Sequence, residues 1–118
     1  MVWRARPHPS LTILTYHRIL PAGHPARLTE QPGMYVSPET LAMHLRVLKQ
    51  HFALIDLGEW LNLRTAGARL PDRACCITFD DGYRNNLDVA TPVLQRYGLP
   101  ATVFVMQNAI ESGIMWND

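Results

Sequence analysis

The run Ala74–Phe79, ACCITF, constrains the fold more than any other stretch of the chain. It contains one hydroxyl and no charge, so neither face of a strand built from it suits water. A strand apolar on both faces belongs to a parallel sheet covered by helices on both sides. The surrounding pattern supplies those elements. Leu11–Tyr16 (LTILTY) is rich in β-branched and aromatic residues and reads as a first strand. Ser37-Pro38-Glu39 marks a helix start, with a capping oxygen, a proline in the first turn and an acid near the positive end of the dipole. Leu41, Leu45, Leu48 and Phe52 follow at helical spacing as its buried face. Residues 53–57 (ALIDL) read as a short second strand, 58–65 as a short helix anchored by Trp60 and Leu61, and 67–72 as a turn. After ACCITF, a helix over 84–97 places Leu87, Ala90, Leu94 and Tyr97 on one stripe, and Pro92 kinks or restarts it behind Thr91 as a local cap. Gly98 and Pro100 stop it, and 101–105 (ATVFV) read as a further buried strand. Strand and helix alternate throughout, which predicts a parallel α/β sheet or barrel.

The 118 residues are enough for one domain, 1–118, and 47% hydrophobic content supports a real core. A formal charge of +1, with no basic run, predicts no nucleic-acid partner and no broad attraction to anionic lipid. No segment approaches the length of a membrane span. The apolar piece at 11–14 is too short for a signal-peptide core, so the chain as given carries no export address and its compartment stays open. Cys75 and Cys76 are strand neighbours facing opposite ways, which predicts two buried free thiols rather than a disulfide or a metal pair. Residues 21–36 hold three prolines and two glycines and read as a long irregular loop, of the kind often used for binding.

Against this background TFDDGYRNN, residues 78–86, is anomalous. Asp80 and Asp81 stand side by side at a strand's C-terminal end, where working residues gather in parallel α/β architectures. Gly82 permits a sharp turn that brings both toward one mouth. A cation that neutralises one carboxylate leaves the other free as a general base for water. Structural roles compete: Asp81 as a cap of the following helix, and Asp80 as a partner of Arg84. His17, directly after the first strand, is either a proton donor or a strand-end histidine bonded to nearby backbone. His8, His24, His44 and His51 are expected at the surface.

Residues 76–105, CITFDDGYRNNLDVATPVLQRYGLPATVFV, resemble the first motif and following strand of the polysaccharide deacetylase family, the NodB-homology or carbohydrate esterase 4 group. The likeness extends more weakly to LTILTYHRI, to the helix and strand over 41–59, and to the terminal MWND. It implies a distorted, TIM-like (β/α) barrel of parallel strands, cut here after about four strands. It also implies a hydrolase that removes N-acetyl groups from amino sugars of a polysaccharide. By motif match, Asp80 resembles the family's catalytic base and Asp81 its metal-ligating aspartate, usually holding zinc (Zn2+). His17 matches a histidine taken as general acid in branches that deacetylate poly-N-acetylglucosamine.

The family's second metal motif, HSxxH or HTxxH, has no counterpart, for the sequence contains no HxxxH. Three protein ligands are the norm for catalytic zinc. The expectation is therefore an N-terminal part of a larger deacetylase domain, without tight metal binding or turnover alone, whose open sheet edge near 101–105 favours self-association. Two rivals stand beside it. One is a non-catalytic relative acting as a glycan-binding or interaction module. The other is a phosphoacceptor domain with magnesium at Asp80/Asp81 and Asp56 as acceptor.

Overall fold

In the computed structural model, which describes residues 10–113, the ACCITF run is the central strand of the main sheet. The elements run β1 (Leu11–Tyr16), β2 (Arg18–Ile19), a 3-10 turn (Pro25–Leu28), β3 (Tyr35–Val36), α1 (Pro38–His51), β4 (Ala53–Leu54) and α2 (Leu57–Thr65). Then follow β5 (Ala74–Phe79), a π turn (Asn86–Ala90), α3 (Thr91–Tyr97), β6 (Thr102–Val103) and α4 (Gln107–Ser112). β5 pairs with β1 along its whole length, from Leu11 opposite Ala74 to Tyr16 opposite Phe79. Its other edge is shared, with β4 at the start and β6 at the end. Every pairing is parallel. The result is a four-stranded parallel sheet among the described residues, as the sequence pattern implied.

Strand alternation sends side chains of the sheet into two clusters. On one face Tyr16, Ile77 and Phe79 meet Leu41 and Leu45 of α1 and Ala90, Val93 and Leu94 of the π turn and α3. On the other, Ala74 and Cys76 meet Ile55 and Trp60, with Leu57 and Leu63 of α2 packed alongside. Each large side chain so buried contributes roughly 1.5–3 kcal/mol. Both cysteines are buried and free, and burial pushes both thiols up from the ordinary range. α1 starts as expected: Ser37 Oγ accepts from Thr40 N at 3.0 Å and Pro38 sits in the first turn. Gly98 ends α3 in the left-handed region at φ 63°.

Several boundaries differ from the sequence pattern, each for a physical reason. The irregular loop over 21–36 closes in a strand, because β3 pairs with β2 to form a separate two-stranded sheet. The second strand is two residues long, since Asp56 Oδ1 accepts from Glu59 N at 3.0 Å and starts α2 at Leu57, one residue before the expected start. Trp60 anchors α2 but Leu61 is exposed; Leu57 and Leu63 pack instead. The helix over 84–97 is interrupted by the π turn. Pro92 has no N–H to give to the carbonyl of Asp88 and crowds it, and the wider turn accommodates one extra residue. The Asn86 carbonyl is met by the backbone N–H of Thr91 and by its hydroxyl at 3.1 Å. This shift turns Leu87 outward, 64% exposed, and puts Asn86 on the buried side. β6 is a two-residue strand, and Val103, Phe104 and Val105 are exposed rather than buried.

Asp81 and Gly82 both take left-handed backbone, each at φ 73°. This turns the chain sharply off β5, close under residue 105. A Cβ at position 82 would lie 2.8 Å from Val105 Cγ1 and 3.3 Å from its Cα. Gly82→Ala is therefore expected to destabilise the fold by about 1–3 kcal/mol, read by urea denaturation. Tyr16 gives a pH-dependent expectation. Burial, followed by the neighbouring Cys75, pushes its phenol up to about 12. A raised acid stabilises the native state below the unfolded value and loses that contribution as pH rises through the folded value. Between pH 10 and 12, unfolding free energies should fall on the order of 2 kcal/mol further in the wild type than in Tyr16→Phe.

Candidate active site

The parallel register of β1 and β5 decides the site. Tyr16 lies opposite Phe79, so the next residues, His17 and Asp80, emerge at the same end of adjacent strands. Asp80 N donates to Tyr16 O at 2.8 Å, which continues the ladder one step beyond the strand. His17 Nε2 then lies 3.9 Å from Asp80 Oδ2, with the side chains 30% and 41% exposed. The contact is an ion pair only while the imidazole is protonated, and partial exposure screens it. Residues 63 apart in sequence, each singled out for its chemistry, thus share one mouth.

Asp80 does not pair with Arg84, whose Nε donates instead to Asp88 Oδ2 at 3.0 Å. Asp81 does not cap the following helical segment; Asn85 occupies the cap position, without a side-chain cap bond. Asp81 Oδ2 is buried and meets no hydrogen-bond donor among the described residues. A carboxylate oxygen desolvated without a partner is costly unless a cation or donor meets it. Its donor chemistry fits one ligand of a zinc-type centre. Among the described residues, however, no three His, Cys, Asp or Glu side chains converge to hold a metal ion. Asp81 fits as a ligand, but the described set does not make a complete centre.

Asp56 has structural work of its own. Beyond capping α2, its Oδ2 accepts from Thr102 Oγ1 at 3.3 Å and ties α2 to β6. Of the other histidines, His24 is exposed and its Nδ1 accepts from Ala26 N at 3.1 Å, starting the 3-10 turn. His51 is exposed, and His8 lies outside the described residues, as does the terminal MWND. His44 departs from the surface expectation: it is half-buried, hydrogen-bonded through Nδ1 to the Tyr16 hydroxyl at 2.9 Å and stacked on that ring. Its position, three residues beyond Leu41 on α1, places it at the border of the buried stripe.

Sequence reasoning passed over Asn85 and Asn86. Asn86 Nδ2 donates to His17 O at 2.8 Å, and Asn85 Oδ1 accepts from Ile19 N at 2.9 Å. A weak signal was present, since two successive asparagines near the start of a helix favour side-chain to backbone bonds over helix propagation. Arg18 was passed over too. Its guanidinium lies over the Tyr83 ring at 4.6 Å and donates to Glu30 Oε2 at 2.8 Å, fastening the loop after β2.

Known proteins resemble this chain in sequence and in fold. Residues 67–116 match the family model for polysaccharide deacetylase. YxkH of Bacillus subtilis (strain 168), assigned to the polysaccharide deacetylases, is 31% identical over 101 residues, 85% of this chain and 33% of that protein. The poly-beta-1,6-N-acetyl-D-glucosamine N-deacetylase of Staphylococcus epidermidis is 35% identical over 78 residues, 65% of this chain and 27% of its own length. The chain thus spans about a third or less of the curated relatives it matches. The solved de-N-acetylase of Aggregatibacter actinomycetemcomitans superposes with a TM-score of 0.74 at 21% identity, over 86% of this chain and 39% of that one, and so shares its fold. With the TFDDGY segment inside the matched region and its aspartates at a parallel strand end, the chain is similar in sequence to the polysaccharide deacetylases and shares the fold of a solved de-N-acetylase.

Proposed function

We propose that this chain supplies the proton-transfer half of a metal-dependent deacetylase acting on N-acetylated amino sugars of a polysaccharide. The observation that carries this reading is the 3.9 Å approach of His17 to Asp80 beside the unpartnered oxygen of Asp81. In the reaction, water adds to the acetamide carbon and the carbon–nitrogen bond breaks, giving acetate and a free sugar amine. Asp80 takes the proton of the attacking water, and a protonated His17 donates to the departing nitrogen. Asp81 offers one carboxylate to a divalent cation, with zinc the first choice; its remaining ligands come from residues other than those described. When bound, such an ion supplies Lewis-acid polarisation of the acetamide carbonyl. The Staphylococcus relative makes poly-β-1,6-N-acetylglucosamine the first substrate to test.

The incomplete ligand set favours a second reading, a module that binds glycan without turning it over. Elemental analysis and acetate release separate the two. On our reading the 118-residue chain holds well under one zinc per molecule and releases no acetate from N-acetylglucosamine oligomers; stoichiometric zinc together with acetate release would overturn it. In a longer protein that carries this segment and loads zinc, Asp80→Asn should lower acetate release by about 10²-fold or more. There Asp81→Asn should reduce the zinc content itself. If both variants match the wild type, the roles given to Asp80 and Asp81 are overturned; a longer protein that binds the glycan but neither loads zinc nor releases acetate supports the binding module.

We also propose that the chain associates with a second copy through β6, which pairs with β5 alone among the described residues and carries exposed Val103, Phe104 and Val105 beside it. Sedimentation should show concentration-dependent association, and a monomer stable to both concentration and dilution would count against it.

A further inference from the structure

We propose that Asn85 and Asn86 are positioning residues that hold the backbone of residues 17–19 so that the His17 imidazole stays beside Asp80. The inference rests on the reading of His17 and Asp80 as the proton-transfer pair. Three hydrogen bonds define the device. Asp80 N holds the carbonyl of Tyr16, Asn86 Nδ2 holds the carbonyl of His17, and Asn85 Oδ1 holds the N–H of Ile19. With carbonyls on both sides of the His17 Cα secured, what remains free is the side-chain rotation that brings Nε2 toward or away from Asp80.

The cost of this arrangement argues that it is more than a helix anchor. Asn86 is buried, and its Oδ1 is also buried without a partner among the described residues. An apolar side chain of similar size would avoid that desolvation penalty. A regular α-helix would have presented Leu87 there instead; the π turn replaces it with the amide. π turns concentrate at functional sites, and this one exchanges a hydrophobic contact for a grip on the His17 peptide.

Two isosteric exchanges test the assignment on the full chain by NMR at a single pH. Asn86→Asp swaps the donor facing the His17 carbonyl for an acceptor. Asn85→Asp adds the same charge but keeps an acceptor facing the Ile19 N–H. Asn86→Asp should move the His17 imidazole nitrogen resonances and raise Ile19 amide exchange about tenfold, while Asn85→Asp leaves both near the wild type. Asn85→Leu should disturb both readouts as Asn86→Asp does. Unmoved His17 resonances in Asn86→Asp and Asn85→Leu overturn the proposal, as does an equal disturbance in Asn85→Asp. Should Asn86→Asp not fold, the Asn85→Leu and Asn85→Asp comparison decides alone. His17→Gln in a zinc-loaded longer protein keeps the premise separate: undiminished acetate release there overturns the proton-donor reading and leaves the NMR result standing.

Discussion

The parallel pairing of β1 with β5, in register from Leu11 and Ala74 to Tyr16 and Phe79, is the interaction on which the rest depends. It stacks Tyr16 on Phe79 with ring centroids 5.5 Å apart and seats both against α1 and α3. It also brings Thr15 Oγ1 within 2.9 Å of Thr78 Oγ1, so the one hydroxyl in the central strand is satisfied. One step further, the same ladder sets His17 beside Asp80. A slip of one residue would send each of these side chains to the opposite face. Core and candidate site therefore stand or fall on one register.

The segment 78–86 divides its work residue by residue. Phe79 belongs to the core and Asp80 to the mouth. Asp81 takes a left-handed backbone uncommon outside glycine and keeps a buried oxygen without a donor. Gly82 passes too close to Val105 for a side chain. Asn85 and Asn86 reach back to the start of β2. Asp81 and Asn86 hold two of the five buried side-chain polar atoms without a hydrogen-bond partner among the described residues, and Asp81 is one of two non-glycine residues there with left-handed backbone. The surrounding frame, with a capped α1 and a left-handed stop at Gly98, follows ordinary rules.

Elements governed by neighbours in sequence were legible; those governed by neighbours in space were not. The Ser37 cap, the Leu41/Leu45 stripe and the Gly98 stop each follow from local chemistry within one helical turn. Leu87 misled because its spacing assumed an unbroken helix, which Pro92 and the π turn reset. β3 was hidden because two residues, Tyr35 and Val36, carry too little pattern to announce a strand before β2 is seen beside them. His44 read as a surface residue until Tyr16 was placed next to it. The apolar sequence of 101–105 suggested burial, but burial needs a covering layer, and among the described residues its outer side is open.

By itself the sequence determined the class of fold and singled out the acids of the candidate site. An uninterrupted apolar strand demands a covered parallel sheet, and two aspartates followed by glycine at its end demand a turn and a charge partner. Those requirements are local, set by the chemistry of adjacent residues. Only the tertiary structure decided which partner each acid has. It put His17 rather than Arg84 beside Asp80, left Asp81 with an unpaired oxygen, and recruited Asn85 and Asn86 to the backbone of residues 17–19. The physical reason is that strand register and helix phase, neither of them a property of any short stretch, set which side chains meet across the sheet end.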